Sequence, residues 1–173
     1  MAPRILVAYT TRKGSTAEIA LAVAGELEKT GAAVTVADMA TVPSVEGYDA
    51  VVLGAPVYSG RIAKDVAFFA RRYRDVLDRI PVAGFVTGIA PAYPKTGEVS
   101  VFTRQIETAL SPIRPVAVTM FAGRLDAARL SFIERGMTAV LKVPTGDFRD
   151  WVTIALWARS LPQKMGMPAT PKE

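Results

Sequence analysis

Short apolar runs alternate along the chain with longer stretches that carry apolar side chains at helical spacing. Five runs have the length and the continuous apolar character of strands buried on both faces of a sheet: 4–9, 33–37, 50–54, 82–87 and 116–121. Four stretches between and after them are predicted to be helices: 15–30, 62–79, 99–110 and about 148–160. This alternation predicts an α/β fold with a doubly wound, five-stranded parallel sheet and helices on both faces.

In a doubly wound sheet, ligands bind beyond the carboxyl ends of the strands. Three segments follow predicted strands at that edge, and we interpret them as loops: 10–16, 55–60 and 88–98. The first of them carries four hydroxyl side chains and leads directly into a predicted helix. Free N–H groups at a helix N-terminus, its dipole and nearby hydroxyls together favour an anion. We therefore predict that a phosphate group binds at 10–16.

The spacing of glycines in the first loop distinguishes between the known types of phosphate-binding loop. The Lys13-Gly14-Ser15-Thr16 tetrad resembles the end of a nucleotide-triphosphate P-loop, but the required first glycine falls on Tyr9. A dinucleotide fingerprint needs three spaced glycines, and only Gly14 is available. An ordinary helix cap at Ser15 remains an alternative. A mononucleotide held by its terminal phosphate fits the residues best.

Composition narrows the chemistry. The 173 residues contain neither cysteine nor histidine, which excludes disulfides, thiolate ligands and an imidazole base, and so points to a bound cofactor. The formal charge is +5, but lysine and arginine are scattered, so we expect no nucleic-acid partner. Because cysteine and histidine are both missing as ligands, we also expect no metal site. No apolar run reaches about 18 residues, and the first strand starts near the N-terminus, so we expect a cytoplasmic protein.

The first loop and the segment Gly54-Ala55-Pro56-Val57-Tyr58-Ser59-Gly60 resemble the two principal flavin loops of the flavodoxin superfamily. Within it, the chain is similar to the menaquinone-dependent protoporphyrinogen IX dehydrogenase group and its flavodoxin-domain relatives. Three features carry the narrower likeness: the Thr-Thr-Arg-x-Gly-x-Thr pattern of the first loop, Ala122-Gly123 after the fifth strand, and an insertion before 144–151. The resemblance implies strand order 2-1-3-4-5, with an inserted helix after strand five.

The resemblance also implies FMN as cofactor and assigns residues to its parts. Those implied around the phosphate are Thr10, Thr11, Arg12, Lys13, Gly14, Ser15 and Thr16. Those implied around the isoalloxazine ring are Ala55, Pro56, Val57, Tyr58, Ser59, Gly60, Thr87, Gly88, Ile89 and Tyr93. The two tyrosines are candidates for stacking on the ring, the alternative being ordinary surface positions. No catalytic residue is identified.

The implied function is electron transfer through flavin, by an oxidoreductase that acts on a quinone or a porphyrinogen. The alternatives are an electron carrier without its own substrate, which the sequence pI of about 9.7 disfavours because such carriers are commonly acidic, and a non-flavin phosphate-binding module. We expect one domain at 1–161, including an insertion at 124–146, and a flexible tail at 162–173. An amphipathic helix within 124–143 is expected to contact a membrane surface, a partner or a second copy, or else to pack on its own sheet.

Overall fold

In a computed structural model, the chain forms a central parallel sheet covered by helices on both faces; the structure describes residues 1–126, 135, 136, 139 and 145–168. The strands of this sheet are β1 (Arg4–Tyr9), β2 (Ala33–Asp38), β3 (Ala50–Tyr58), β5 (Val82–Gly88) and β6 (Ala117–Ala122). Their spatial order is β2-β1-β3-β5-β6, and all four pairings are parallel. When only these five parallel strands are numbered, their order is 2-1-3-4-5. The predicted α/β fold and its strand order are therefore confirmed.

In the described part of the chain, five helices pack on this sheet: α1 (Ser15–Lys29), α2 (Asp65–Arg72), α3 (Arg74–Leu77), α4 (Val99–Leu110) and α5 (Trp151–Lys164). Single turns of 3₁₀ helix lie at Met39–Thr41 and Pro94–Thr96. Alternate strand residues face opposite layers, as Ile5 and Leu6 illustrate: Ile5 packs in the core under α1 and α5, and Leu6 in the core under α2, α3 and α4. Both side chains are buried, which is why the strand runs lack polar alternation.

The prediction that 55–60 is a loop was wrong. Strand β3 continues to Tyr58, turns through Ser59 and Gly60, which both have positive φ, and returns as β4 (Arg61–Ile62) in an antiparallel pair. Pro56 is tolerated because β1 ends opposite Gly54, so β3 has no β1 neighbour at that level.

The helix predicted at 62–79 was wrong in its extent. Ile62 belongs to β4, where its N–H donates to the Gln105 side chain, and the helical part divides into α2 and α3 at Tyr73. The Tyr73 hydroxyl donates to the Val42 carbonyl at 2.6 Å, and its ring packs edge-on against Phe69. The tertiary bond to Val42 accompanies a backbone at Tyr73 that lies outside helical geometry, with φ −111° and ψ 19°.

The last helix starts later than the predicted Phe148, because Asp150 caps α5 by accepting from the Thr153 N–H, and it runs beyond Ser160 to Lys164. Leu161 and Met165 are buried there. Two short strands, β7 (Arg124–Leu125) and β8 (Gly146–Asp147), pair antiparallel. The apolar positions of the predicted insertion helix lie outside the described residues, as does the end of the predicted tail: Leu130, Ile133, Met137, Val140, Leu141 and 169–173.

Candidate functional site

A cavity of about 280 Å³ lies at the carboxyl ends of β1, β3, β5 and β6. This volume is near the lower end of the roughly 300–1,000 Å³ typical of small-molecule sites. All three loops expected to meet at this edge contribute to its walls. Among the described residues, those lining it are Thr11, Arg12, Lys13, Ser15, Thr16, Pro56, Val57, Tyr58, Ser59, Gly60, Thr87, Gly88, Ile89, Ala90, Thr96, Phe102, Met120, Gly123, Arg124 and Leu125.

The loop between β1 and α1 is folded back on itself at Gly14. This residue has φ 88°, in the left-handed region that glycine adopts without strain, and its N–H donates to Thr11 Oγ1 at 3.0 Å. Gly14 has no side chain with which to cap α1, so the first-turn N–H groups of the helix remain for another acceptor. The local structure is therefore suited to an anion at the start of α1.

Ser15 is the first helical residue and does not cap the helix, so that alternative was wrong. Its Oγ accepts a hydrogen bond from the backbone N–H of Arg124 at 3.1 Å, which joins the first loop to the segment after β6. Thr16 Oγ1 lies 2.7 Å from Thr87 Oγ1, and both residues are almost fully buried. This hydroxyl pair connects α1 to the end of β5 at the cavity wall.

The β3–β4 hairpin forms the opposite wall. Tyr58 is half-buried, and the Arg12 guanidinium lies over its ring, 3.9 Å from the centroid. A guanidinium this close to an aromatic face is attracted by the ring's electrons. The contact therefore joins the first loop to the second across the mouth of the cavity.

Four of the residues predicted for the site are not among those lining the cavity. The N–H of Thr10 donates to the Gly54 carbonyl, and Ala55 is buried within the sheet opposite Val86. Gly14 forms the bend of the first loop through its N–H bond to Thr11. Tyr93 precedes a 3₁₀ turn, and its carbonyl accepts a hydrogen bond from the Thr96 hydroxyl. The other thirteen predicted residues do line the cavity.

Sequence reasoning missed the segment that follows β6. Gly123, Arg124 and Leu125 line the cavity, together with Ala90, Thr96, Phe102 and Met120. A signal was present, because β6 is also a parallel strand and its carboxyl end meets the same edge of the sheet. The Ala122-Gly123 pair lies at that end of β6 and carries part of the family likeness.

Charge is distributed unevenly around the cavity. Arg12, Lys13 and Arg124 line it, and within the described part of the chain no aspartate or glutamate does. Two acidic residues lie next to Arg124: Glu18, 3.8 Å from its guanidinium, and Asp147, its partner in the β7–β8 pair. Arg149 donates hydrogen bonds to both of them. Hydrogen bonds from Arg149 lower the pKa of Asp147 to about 2, and the same bonds raise the pKa of Arg149. Both groups are therefore ionised at neutral pH.

These features fit a ligand that has an anionic end and an apolar body. The first loop supplies hydroxyls, backbone N–H groups and cations, whereas Pro56, Val57, Ile89 and Phe102 supply apolar walls. This donor set suits the phosphate and ring of a mononucleotide cofactor. Fold and site together define a doubly wound protein of the mononucleotide-binding type.

Comparison with known proteins gives the family. Residues 6–151 match the flavodoxin-domain family, and the chain belongs to it. This family uses FMN for electron transfer, so the predicted cofactor and class of function are confirmed at that level. The chain is 27% identical to protoporphyrinogen IX dehydrogenase (quinone) of Escherichia coli strain K12 over 171 residues, covering 91% of this chain and 94% of that protein. The same values hold for the protein of strain O157:H7.

Solved flavodoxins share the fold. The Fusobacterium nucleatum flavodoxin bound to flavin mononucleotide superimposes with a TM-score of 0.58 at 13% identity, over 94% of this chain and 98% of that one. The Streptococcus pneumoniae TIGR4 flavodoxin gives 0.55 at 15% identity, over 93% and 99%. Among the described residues, no helix is long and apolar enough to cross a membrane.

Proposed function

We propose that this protein is an FMN-dependent oxidoreductase that oxidises a porphyrinogen and reduces a quinone. The observation that carries the proposal is the cavity, which joins a phosphate-type loop to apolar walls at one edge of the sheet. Likeness over almost the full length to a protoporphyrinogen IX dehydrogenase (quinone) supports the choice of substrates. The electrons and protons that leave the porphyrinogen would convert the quinone to a quinol.

The phosphate is assigned to the first loop. Thr11, Ser15 and the first-turn N–H groups of α1 would donate hydrogen bonds to it, and Lys13 would add positive charge. The isoalloxazine ring is assigned to the space between the hairpin and the segment after β5. Tyr58 and Ile89 would contact it there and exclude water from its faces. Bound FMN supplies the redox chemistry, accepting electrons from one substrate and delivering them to the next.

The substrates are assigned to the open side of the cavity beside Tyr58. Porphyrinogens carry carboxylate side chains on an apolar ring, and the cations Arg12 and Lys13 at this mouth complement those carboxylates. The Arg12 guanidinium covers one face of the Tyr58 ring, 3.9 Å from its centroid, so the ring edge and other apolar lining residues would supply the apolar surface next to them. The mouth therefore combines the charge and the surface that such a substrate requires.

Anaerobic turnover tests this function. Purified protein loaded with FMN is mixed with protoporphyrinogen and a quinone, and porphyrin fluorescence is followed. We expect fluorescence to rise only when protein and quinone are both present. A yellow protein that takes up FMN but leaves the porphyrinogen unchanged would instead be an electron carrier. A colourless protein that does not bind added FMN would exclude the flavin function altogether.

The proposed quinone acceptor also implies where in the cell the protein acts. We place the protein in the cytoplasm, with contact to the inner face of the cell membrane through 124–143, because a quinone acceptor is apolar. Co-sedimentation with vesicles that contain anionic lipid tests this contact. A protein that stays in the supernatant at low salt would contradict it.

A further inference from the structure

The inserted segment is attached to the phosphate end of the cavity by its own two ends. Strands β7 and β8 pair Arg124 with Asp147 and Leu125 with Gly146. The backbone N–H of Arg124 donates to Ser15 Oγ at 3.1 Å, and that of Phe148 donates to the Gly123 carbonyl at 3.1 Å. These bonds fix the β7–β8 ribbon against the first turn of α1.

The Arg124 side chain lines the cavity and is only 23% exposed. Its Nη2 atom is buried and has no hydrogen-bond partner among the described residues. Glu18 Oε1 lies 3.8 Å away, which is close enough for an ion pair but too far for a hydrogen bond. A buried guanidinium N–H without an acceptor is costly, and a ligand oxygen placed there would remove that cost.

The neighbouring acids are already engaged by another arginine. Arg149, whose side chain is 6% exposed, donates to Glu18 and also to both oxygens of Asp147, at 2.8 and 2.7 Å. Its guanidinium further lies 4.7 Å from the centre of the Trp151 ring. Because Arg149 neutralises much of this acidic charge, the positive charge of Arg124 is only partly compensated by Glu18.

We propose that Arg124 is a further binding residue of the cofactor site and donates from its guanidinium group to the FMN phosphate. This inference rests on the proposed FMN site. A phosphate monoester carries roughly −1.5 to −2 charges at neutral pH and accepts strong hydrogen bonds from guanidinium groups. The inserted segment thereby contributes a cofactor ligand from its first residue, across the sheet edge from the phosphate loop.

Comparing two flavins isolates this contact, because riboflavin has the ring and ribityl chain of FMN but lacks the phosphate. Dissociation constants for both are measured by flavin fluorescence quenching, with the wild type and the variant Arg124→Gln. We expect FMN binding to weaken about ten- to a hundredfold in the variant, as for loss of a hydrogen bond between charged groups, and riboflavin binding to stay within about twofold. The ratio of the two constants is the readout.

The matched control is Arg159→Gln. Arg159 also pairs with a glutamate of α1, Glu26 at 2.7 Å, but it does not line the cavity. We expect the wild-type ratio in this control. Arg124→Lys keeps the charge but not the planar donors, and should lose a smaller part of the ratio. It decides the test if Arg124→Gln does not fold.

Two results would overturn the inference, and they differ in what else they exclude. A wild type that prefers FMN to riboflavin, with an unchanged ratio in the folded Arg124 variants, removes Arg124 from the site and leaves the proposed function standing. A wild type that binds neither flavin overturns the proposed function and the Arg124 contact with it.

Discussion

The buried hydroxyl pair between α1 and β5 gives a prediction in which the loss of stability depends on whether one hydroxyl or both are removed. Thr16 Oγ1 and Thr87 Oγ1 lie 2.7 Å apart, with residue exposures of 2% and 3%. Threonine and valine have nearly the same shape, so a change to valine removes the hydroxyl and leaves packing almost unaltered. Thr16→Val or Thr87→Val alone leaves one buried hydroxyl without a partner, which costs about 1–3 kcal/mol of unfolding free energy.

The double variant, with valine at both positions, is expected to be nearly as stable as the wild type. It leaves no orphaned hydroxyl, and removing both partners of a buried hydrogen bond is close to neutral. The double-mutant cycle should therefore give an interaction energy equal to the sum of the two single costs, about 2–6 kcal/mol. Urea unfolding of flavin-free protein measures the three variants, and equal slopes show that the comparison is sound.

Additive single costs, with the double variant as unstable as their sum, would refute this reasoning. The control is Thr103→Val. The Thr103 hydroxyl donates to the Ser100 carbonyl within α4, and neither residue lines the cavity. We expect that change to fall within about 0.5 kcal/mol of the wild type. Flavin titration of the same variants separates roles: if Thr16 also donates to the phosphate, Thr16→Val weakens FMN binding more than Thr87→Val does.

Three further changes test the loop, the core and the ribbon. Thr11→Ala should weaken FMN binding by about 1–3 kcal/mol without affecting riboflavin, and equal loss of both flavins in a titration would contradict a phosphate contact. Gly54→Ala should lower the unfolding free energy measured in urea by about 1–3 kcal/mol or more, because the new Cβ would lie 2.1 Å from the buried Phe85 ring. Gly25→Ala is the control: no atom lies within 4 Å of its Cβ position on α1, so this change should be neutral or stabilising. Asp147→Asn should lower stability at neutral pH by up to about 1 kcal/mol, since the Asp147 side chain is 45% exposed and water screens its pair with Arg149.

The pH dependence of the Asp147 effect follows from its pKa. The folded-state pKa is lowered to about 2 from the usual 3.8, so the stabilising contribution is present above about pH 4 and is lost as the pH falls towards 2. Thermal unfolding of the wild type and Asp147→Asn should therefore differ at pH 6 and converge near pH 2. A difference that grows as the pH falls would show that the pair with Arg149 is not its source.

The sheet could be predicted from the sequence because burial on both faces produces continuous apolar runs. Ile5 and Leu6 are adjacent in β1 yet enter different cores, so neither position tolerates a polar side chain. Parallel order then brought three loops to one edge, which located most of the cavity. Local pattern and global topology agree in this part of the chain.

The hairpin at Tyr58 and the break at Tyr73 could not be predicted in the same way. Proline and glycine near 56–60 suggested a loop, whereas the end of β1 opposite Gly54 is what permits the strand to continue. Likewise, nothing local interrupts the helical spacing at Tyr73, whose conformation depends on Val42, thirty-one positions away in sequence. The first difference depends on where a neighbouring strand ends, and the second on a tertiary contact, and local pattern predicts neither of them.

Arg124 shows how a site residue can be separated from its motif. It follows β6, far in sequence from the phosphate loop, and the carboxyl end of β6, the β7–β8 ribbon and the bond to Ser15 together bring it to the cavity. Since Arg124 both begins the insertion and contacts the cofactor in our proposal, the docking of the ribbon and the binding of FMN are linked. Such linkage is reciprocal. If bound FMN stabilises the ribbon against α1 by a given factor, then stabilising the ribbon in that position raises the affinity for FMN by the same factor.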